Sequence, residues 1–308
     1  MKVETKSFYL SAVQQAVAHI TEHLDDALDL TALARAAALS PFHFHRVFRG
    51  MLGETPLELQ RRLRMERAAH RLLHSDTSVT TLAFESGYDT HEAFTRAFRA
   101  LYGVPPSAFR QSAPSEAECL RPQQVELAAP SGIHFRTSGT IGRFVPFTTG
   151  GHIMNVEVKT MPALRLATVR HVGPYAKISE AFARLGAIAG QAGLFQQPTV
   201  AMIGVYHDDP ETTPAHELQS DAAISVPEAA VLPPGLSELR LPAGRYACTT
   251  HMGPYTTLGD TWSRLMGEWL PKSGQRMQDG VAYELYVNNP MTASAEELRT
   301  EIYILLAA

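Results

Sequence analysis

The stretch SPFHFHRVFRGMLGETP at residues 40–56 recurs as THEAFTRAFRALYGVPP at residues 90–106. The two copies align without gaps at a period of 50, and both carry an Arg-x-Phe-Arg run followed by a glycine and a proline. Identities that keep one register indicate an internal duplication. Ser40 and Thr90 are suitable helix N-caps, so each copy predicts a helix that begins at the next residue.

A short helix and a tight turn are predicted before each copy. The first short helix follows Thr31 as N-cap and carries Leu33-Ala34, and the second covers residues 79–86. A longer helix is predicted between the copies, from Pro56 to about Leu73. A short helix, a tight turn and a second helix form the arrangement that delivers a helix to the major groove of DNA. The predicted fold of residues 1–111 is therefore an all-α domain with two helix-turn-helix units.

Charge is distributed unevenly along the chain. The whole sequence has a net charge of −4, which argues against non-specific coating of nucleic acid. Residues 35–110 nevertheless contain eleven Arg and no Lys against seven acidic residues. A local surplus of arginine is what contact with DNA phosphates requires, although a solvated helical face has a similar composition.

The run from Leu30 to Arg110 resembles the AraC/XylS-type DNA-binding domain over essentially its whole length. The positions that carry the resemblance are spread over both copies: Leu33-Ala34, Ser40, Phe44, Arg46, Phe48, Gly53, Pro56, Arg64, Ala68, Leu72-Leu73, Ala83, Gly87-Tyr88, Phe94, Arg96, Phe98, Gly103, Pro106 and Phe109-Arg110. The resemblance implies that the second helix of each unit, its reading helix, enters the major groove. One chain would then read two consecutive grooves.

The resemblance also implies which side chains contact DNA. They are Phe42, His45 and Arg46 on the first reading helix, and His91, Glu92, Thr95 and Arg96 on the second. Arginine can bind guanine through two hydrogen bonds, His and Thr can donate or accept at base edges, and Glu can accept from cytosine. Alternatives stay open here, because an arginine can instead hold a phosphate, Phe42 can belong to the core, and the others can be ordinary surface residues.

A second duplication, with a period of 80, fills the C-terminal half of the chain. Its clearest pair is the segment His-x-Gly-Pro-Tyr at residues 171–175 and 251–255. The hydrophobic periodicity of each unit predicts a strand, a helix and further strands. Residues 156–308 are therefore predicted to be an α+β domain of two duplicated strand-helix-strand modules, with a cleft between their sheets.

This half resembles the GyrI-like effector-binding domain found in Rob-type and multidrug-sensing regulators. The resemblance rests on the two His-x-Gly-Pro-Tyr segments, on Tyr283-Glu284-Leu285-Tyr286 with Asn289-Pro290, and on the closing segment 297–304. It implies a carboxylate in an aromatic-walled pocket for lipophilic cations, with Glu284 at the matching position. A cation would pair with the buried carboxylate and contact the aromatic faces. The candidate wall residues are Tyr255, Trp262, Tyr286 and Tyr303. Trp262 can equally be a core residue, and a core position is favoured for Trp269, the further candidate seven residues later on the same predicted helix.

Residues 112–155 between the two domains are rich in Ser, Pro, Gly and Thr and are predicted to be a linker. Within it, Ile133 and Phe135 are candidates to dock on a neighbouring element. Cys119 and Cys248 fit neither a disulfide framework nor a zinc site, and we expect no metal and no cofactor. The N-terminus carries no signal-peptide pattern and no apolar span is long enough for a bilayer, so we expect a cytoplasmic protein without membrane contact.

These observations predict a one-component transcriptional regulator rather than an enzyme. Its expected partners are double-stranded DNA and a small lipophilic or cationic effector, with RNA polymerase as a further candidate. Two alternatives remain open for the C-terminal domain: a small-molecule hydrolase with Glu284 as general base, and a protein-binding module. Because one chain already carries two reading helices, the sequence leaves the oligomeric state undetermined.

Overall fold

The computed structural model describes residues 2–112, 132–135, 154–197, 199–208, 213–278 and 282–308. Most of the predicted linker lies outside these residues, and so do Cys119 and the side chain of Phe42. Contacts divide the chain into two compact units, residues 7–150 and residues 151–308 together with residues 1–6. Each unit has a hydrophobic core of its own.

Helices form the N-terminal part of the chain. They are α1 Lys2–Glu22, α2 Leu30–Ala36, α3 Pro41–Leu52, α4 Pro56–His74, α5 Val79–Glu85, α6 His91–Tyr102 and α7 Pro106–Ser112. The pairs α2–α3 and α5–α6 are the two predicted helix-turn-helix units, and α4 joins them. Both reading helices end at a glycine with left-handed backbone, Gly53 at φ 78° and Gly103 at φ 77°, where a side chain would be strained.

Side-chain caps fix where these helices begin. Ser40 and Thr90 each accept a hydrogen bond from the backbone N–H three residues further on, as predicted. The prediction for α2 is wrong, because its N-cap is Asp29 and not Thr31. The carboxylate of Asp29 accepts from the backbone N–H of Ala32 at 2.9 Å. Two capping residues lie close together here, and the sequence alone did not decide between them.

An aromatic cluster forms the core of the second helix-turn-helix unit. Phe94, Phe98 and Tyr102 lie one turn apart on α6 and are buried. The rings of Phe98 and Tyr102 stack with centroids 4.5 Å apart, and Phe109 of α7 meets Phe98 edge-on at 5.3 Å. Buried residues of α4 and α5 belong to the same cluster. The cluster therefore fixes the orientation of α6, the second reading helix.

The C-terminal unit is an antiparallel sheet covered by helices. Its strands are β1 Glu157–Met161, β2 Leu164–Val172, β3 Met202–Tyr206, β4 Gln219–Ser225, β5 Ser237–Leu241, β6 Gly244–Met252, β7 Ala282–Tyr286 and β8 Arg299–Leu305. Its helices are α8 Ser179–Gln191, α9 Leu258–Arg264 and α10 Leu270–Ser273, and a π turn at Leu265–Trp269 joins α9 to α10. The two His-x-Gly-Pro-Tyr segments lead from β2 and β6 towards α8 and α9 through 3₁₀ turns.

The strand order is β1-β6-β8-β7-β3-β4-β2-β5. Exchanging each strand with its counterpart in the other repeat unit (β1 with β5, β2 with β6, β3 with β7, β4 with β8) gives the same order read from the opposite edge. Gly204 and Glu284, which are related by the 80-residue period, lie opposite each other where β3 pairs with β7. An approximate twofold axis therefore passes through this pair, as a duplicated unit would require.

Two features of the C-terminal prediction are wrong. The units do not form separate sheets with a cleft between them, because β3 pairs with β7 along five residues and makes the sheet continuous. The edge strand β5 is missing from the predicted elements. Its sequence Ser-Glu-Leu-Arg-Leu alternates polar with apolar and lies 80 residues after β1, so the repeat register contained the signal for it.

Each face of the sheet has its own core. On one face, Leu185 of α8 packs against Ala222 and Ile224 of β4. The other face carries a core made of strand residues alone, in which Leu166 of β2 and Tyr246 of β6 belong to one cluster. Because side chains from strands near opposite edges meet there, the sheet curls around this second face.

Replacing Phe98 by Ala should destabilise the helix-turn-helix unit by about 3–5 kcal/mol, because it removes a buried ring and leaves a cavity. Thermal unfolding followed by circular dichroism measures the loss. Phe84→Ala is the matched control, since Phe84 is 57% exposed and its removal should change stability by less than about 0.5 kcal/mol. Equal effects of the two substitutions would contradict the packing described.

Candidate DNA-binding surface and effector site

The second reading helix, α6, presents an open polar face. His91, Glu92 and Arg96 are exposed, whereas Phe94 and Phe98 are buried on the other side of the helix. Thr95, also predicted to contact DNA, is half-buried and its hydroxyl oxygen is enclosed. Three polar side chains therefore project from the first two turns of a helix whose inner side is fixed, which suits insertion into the major groove.

The first reading helix, α3, differs from α6 in exposure. His45 is only 3% exposed, and Arg46 is half-buried. The imidazole of His45 is therefore covered in this structure, and its contact with a base stays a prediction. Position 45 is equivalent to position 95, where Thr95 is also turned inward, so in both copies this position lies beside the apolar side of the helix. The predicted contact by Phe42 concerns a side chain outside the described residues.

Glu284 lies in the middle of β7 and faces the helix-covered side of the sheet, with 4% of its surface exposed. Burial of a carboxylate is costly unless hydrogen bonds replace those that it makes with water. The indole N–H of Trp262, on α9, donates to Glu284 Oε1 at 2.7 Å. The hydroxyl of Tyr286 donates to Glu284 Oε2 at 3.0 Å. Both carboxylate oxygens therefore have a donor within the protein.

Tyrosines of the two repeat units meet above Gly204. The hydroxyls of Tyr206 and Tyr286, which are equivalent in the repeat, lie 2.7 Å apart. Since the Tyr286 hydroxyl uses its hydrogen in the bond to Glu284, the Tyr206 hydroxyl is the hydrogen-bond donor to Tyr286. A Cβ atom on Gly204 would lie 2.7 Å from the Tyr286 hydroxyl and 3.1 Å from that of Tyr206. The tyrosine pair can close over the β3–β7 junction because residue 204 has no side chain.

The pKa values of Tyr206 and Tyr286 both lie well above the ordinary value of a tyrosine. Burial is the largest cause for each, and the neighbouring charge of Glu284 raises both further. Both phenols therefore remain protonated at neutral pH. They form a chain of hydrogen-bond donors that ends on the Glu284 carboxylate.

The structure brings together four of the five residues predicted to bind an effector. Glu284, Trp262 and Tyr286 are joined by hydrogen bonds, and the ring of Tyr255 meets that of Tyr286 at 5.5 Å. We call these four residues, with Tyr206, the Glu284 cluster. The cluster reaches the surface through its tyrosines, since Tyr255 is exposed and Tyr206 and Tyr286 are half-buried, whereas Glu284 and Trp262 are buried.

Tyr303 is not part of the Glu284 cluster, so the prediction that it lines the same pocket is wrong. It pairs with Tyr283 across β7 and β8, and side chains alternate between faces along a strand. Tyr303 and Glu284 therefore lie on opposite faces of the sheet. The ring of Tyr303 stacks on that of Tyr283 at 4.8 Å, and its hydroxyl donates to Glu301 at 2.6 Å.

Two further aromatic rings that were not predicted as site residues surround the cluster. Phe182 of α8 meets Tyr286 at 5.6 Å, and Tyr175 meets Tyr206 at 4.8 Å. They are the counterparts of Trp262 and Tyr255 in the first repeat unit. The repeat register could have identified both, because equivalent positions on the two sides of a twofold axis come together.

A separate cavity of 570 Å³ opens where β1 meets β6, and Lys159, Cys248 and Arg264 are among its lining residues. None of the predicted effector residues lines it. Among the described residues, no group of three or more His, Cys, Asp or Glu side chains could hold a metal ion. No helix in the described part of the chain has the length and apolar composition of a membrane span.

Comparison with known proteins bears on both sites. Residues 154–307 match the GyrI-like small molecule binding domain, and residues 33–112 match a helix-turn-helix domain. The C-terminal half is similar to a DNA gyrase inhibitor of Yersinia enterocolitica, at 36% identity over 130 residues that cover 41% of this chain and 81% of that protein. The crystal structure of the EcmrR C-terminal domain is similar at 18% identity and a TM-score of 0.41, covering 51% of this chain and 99% of that one.

The N-terminal half is similar to regulators. It is 33% identical over 103 residues to the uncharacterized HTH-type transcriptional regulator YbfP of Bacillus subtilis, which covers 33% of this chain and 35% of that protein. It is 38% identical over 94 residues to the MmsAB operon regulatory protein of Pseudomonas aeruginosa, covering 30% and 31% respectively. The chain thus spans about a third of the length of these two regulators.

The fold and the matches define a protein that joins an AraC-type helix-turn-helix domain to an α+β domain for small molecules. The GyrI-like match covers half of the chain, and the gyrase inhibitor is matched over most of its length. The chain belongs to the GyrI-like family.

Replacing Gly204 by Ala should destabilise the C-terminal unit by about 1–3 kcal/mol, because the new methyl group would overlap the Tyr286 hydroxyl. Chemical denaturation followed by tryptophan fluorescence measures this, since Trp262 lies in the cluster. Gly186→Ala is the control, because no atom lies within 4 Å of the added Cβ and helical alanine should be neutral or favourable. Unchanged stability of the Gly204 variant would mean that the tyrosine pair does not close over the junction.

Proposed function

We propose that the protein is a sequence-specific transcriptional regulator controlled by a small lipophilic or cationic effector in its C-terminal domain. The observation that carries this proposal is the exposed polar face of α6, held in place by buried aromatic residues of the same helix. The similarity of this half to proteins named as HTH-type transcriptional regulators and activators supports it.

In this proposal α6 reads base edges in the major groove. Arg96 is suited to bind guanine through two hydrogen bonds, while His91 and Glu92 are suited to neighbouring bases. Arg46 is the equivalent of Arg96 on α3 and would contact the second box of the site. Thr95 and His45 are left with a structural role, because both are turned inward in the fold.

The effector is proposed to bind at the Glu284 cluster. A lipophilic monocation fits this chemistry, because a buried carboxylate attracts its charge and aromatic faces attract it further. Glu284 already accepts hydrogen bonds from Trp262 and Tyr286. A cation must therefore displace or share the Tyr286 hydroxyl, and only a ligand with enough apolar surface to bury against Tyr255 and Tyr286 would offset that loss. This requirement selects lipophilic cations over small hydrophilic ones.

The bound effector would alter gene expression by favouring one state of the DNA-binding domain, with RNA polymerase as the proposed partner at the promoter. We propose that the domain senses its ligand without converting it. A hydrolase is the second candidate, because the hydrogen-bonded chain from Tyr206 through Tyr286 to Glu284 could carry a proton to or from a reacting group. A cytoplasmic location follows from this proposed function, since its target is DNA.

The purified protein should retain specific sites from fragmented genomic DNA of its source, with two short boxes about one helical turn apart. Arg96→Ala should weaken binding to such a site by about 1–3 kcal/mol and relax the preference at one base. Arg240→Ala removes the same charge from an exposed position in the other domain and should leave binding unchanged. Retention of no specific sequence would refute the DNA-binding proposal.

Tetraphenylphosphonium is a suitable probe for the effector site, measured by isothermal titration calorimetry. Glu284→Gln should weaken its binding by about tenfold or more, because the charge is lost while the shape is kept. Tyr303→Phe, on the opposite face of the sheet, should bind as the wild type does. Glu284→Gln should also leave DNA affinity intact without the probe. Equal affinity of wild type and Glu284→Gln would refute the site, whereas Glu284-dependent hydrolysis of a p-nitrophenyl ester would favour the enzyme.

A further inference from the structure

A short segment of the chain between the two domains is docked on the N-terminal unit. Ile133 is fully buried, and His134 and Phe135 are half-buried. The ring of Phe135 lies 6.3 Å from that of His70 on α4. We call residues 132–135 the strap. The burial of Ile133 and the ring contact of Phe135 agree with the prediction that both dock on a neighbouring element, and the contact of Phe135 identifies α4 as an element that the strap meets.

Glu66 of α4 is the residue that receives the strap. The backbone N–H of Phe135 donates to Glu66 Oε2 at 2.7 Å, and His134 Nδ1 lies 3.2 Å from Glu66 Oε1. Glu66 is itself buried. A buried carboxylate needs donors on both oxygens, and among the described residues the donor to Oε2 is supplied by the strap. Because this donor is a backbone N–H, the hydrogen bond both contributes to the affinity of the strap for α4 and sets where along α4 the strap docks.

A buried ion-pair network leads from Glu66 to the corner between α3 and α4. Arg62, one turn earlier on α4, donates to Glu66 Oε1 at 2.6 Å. The same guanidinium makes a bidentate pair with Glu54 at 2.9 and 2.7 Å. Glu54 directly follows Gly53, the residue that ends the first reading helix. The strap is thus connected to the end of α3 through an unbroken series of charged hydrogen bonds.

The charges in this network explain why the strap matters to it. Glu54, Arg62 and Glu66 together carry one more negative than positive charge, and all three are buried. Burial raises the pKa of Glu54. Burial alone would also raise the pKa of Glu66, but hydrogen bonds from His134 and Phe135 and the charge of Arg62 hold it below its ordinary value. Without the strap, Glu66 would lose the hydrogen bonds from His134 and Phe135 while its carboxylate stayed buried beside Arg62.

We propose that the strap is a regulatory element of this protein: its docking on Glu66 holds the α3–α4 corner, and with it the angle between the two reading helices. When the strap leaves, Arg62 can no longer pair equally with both carboxylates, and the corner is released. The strap lies in the stretch of chain between α7 and β1, so a change in the C-terminal domain can reach α4 through it. The expected effect on DNA binding rests on the proposed function, whereas the expected effect on the α3–α4 corner does not.

The test uses the full chain with the double substitution Ile133→Ser/His134→Ala, which removes the apolar anchor and the imidazole but leaves every helix of the DNA-binding unit unchanged. Val231→Ser/His216→Ala is the matched control, because it also replaces a branched aliphatic residue by Ser and a histidine by Ala, at exposed positions. The DNA probes are a two-box duplex recovered in the genomic selection, and the same duplex with the box read by α3 randomised.

The Ile133→Ser/His134→Ala variant, called the strap variant, should lose about tenfold or more in affinity for the two-box duplex. It should lose less than about threefold for the duplex whose α3 box is randomised, called the one-box duplex. This difference is expected because a released corner misaligns α3 and leaves α6 in place. A purely structural defect would weaken both complexes alike. Equal losses, or no loss, would overturn the proposed link between strap and DNA binding.

A second measurement tests the corner directly, without DNA. Hydrogen–deuterium exchange of the amides at residues 53–55 should be about tenfold faster in the strap variant than in the wild type and the control, because the corner opens more often. Exchange that is unchanged at the corner would overturn the proposal even if the protein binds DNA as expected. Faster exchange at residues 53–55, together with a failure to retain any specific DNA sequence, would support the role of the strap at the corner and refute the proposed transcriptional regulator.

Discussion

The antiparallel pairing of β3 with β7 is the contact on which the C-terminal unit depends. It joins the strands of the two repeat units into one sheet and places Gly204 opposite Glu284. The twofold axis through this pair brings equivalent aromatic residues from both units to one place, although only one unit supplies a carboxylate. A second acid at position 204 would collide with the tyrosine pair. The two copies of the duplication therefore differ at the position that supplies the buried carboxylate.

The N-terminal unit depends on α4 in a comparable way. This helix carries apolar residues into the aromatic core that supports α6. It also carries Arg62 and Glu66, which connect the end of α3 with the strap. A buried charge network is a poor source of net stability, because desolvation offsets much of the attraction between the ions. It does specify geometry strongly, since each member requires the others at a fixed distance.

Much of the fold could be predicted because both duplications keep a constant register. The repeated glycines and caps located the reading helices to within about one residue. Predictions failed where two local signals competed or where exposure depended on distant packing. Thr31 and Asp29 are both good caps, and His45 has the same local pattern as an exposed histidine. Tyr303 lies on the face opposite to the one that the resemblance implies, because the register of β8 against β7 places it beside Tyr283 and not beside Glu284.

The sequence by itself determined the two domains and the reading helices, which follow from periodicity, capping and repeat register. The resemblance of the C-terminal half to the GyrI-like domain singled out Glu284. Only the tertiary structure decided that Trp262 and Tyr286 satisfy Glu284, that His45 is buried, and that Glu66 receives the strap. Each of these contacts joins residues from separate elements or depends on packing around them. Hydrogen bonding and burial between such elements arise only when the chain is folded.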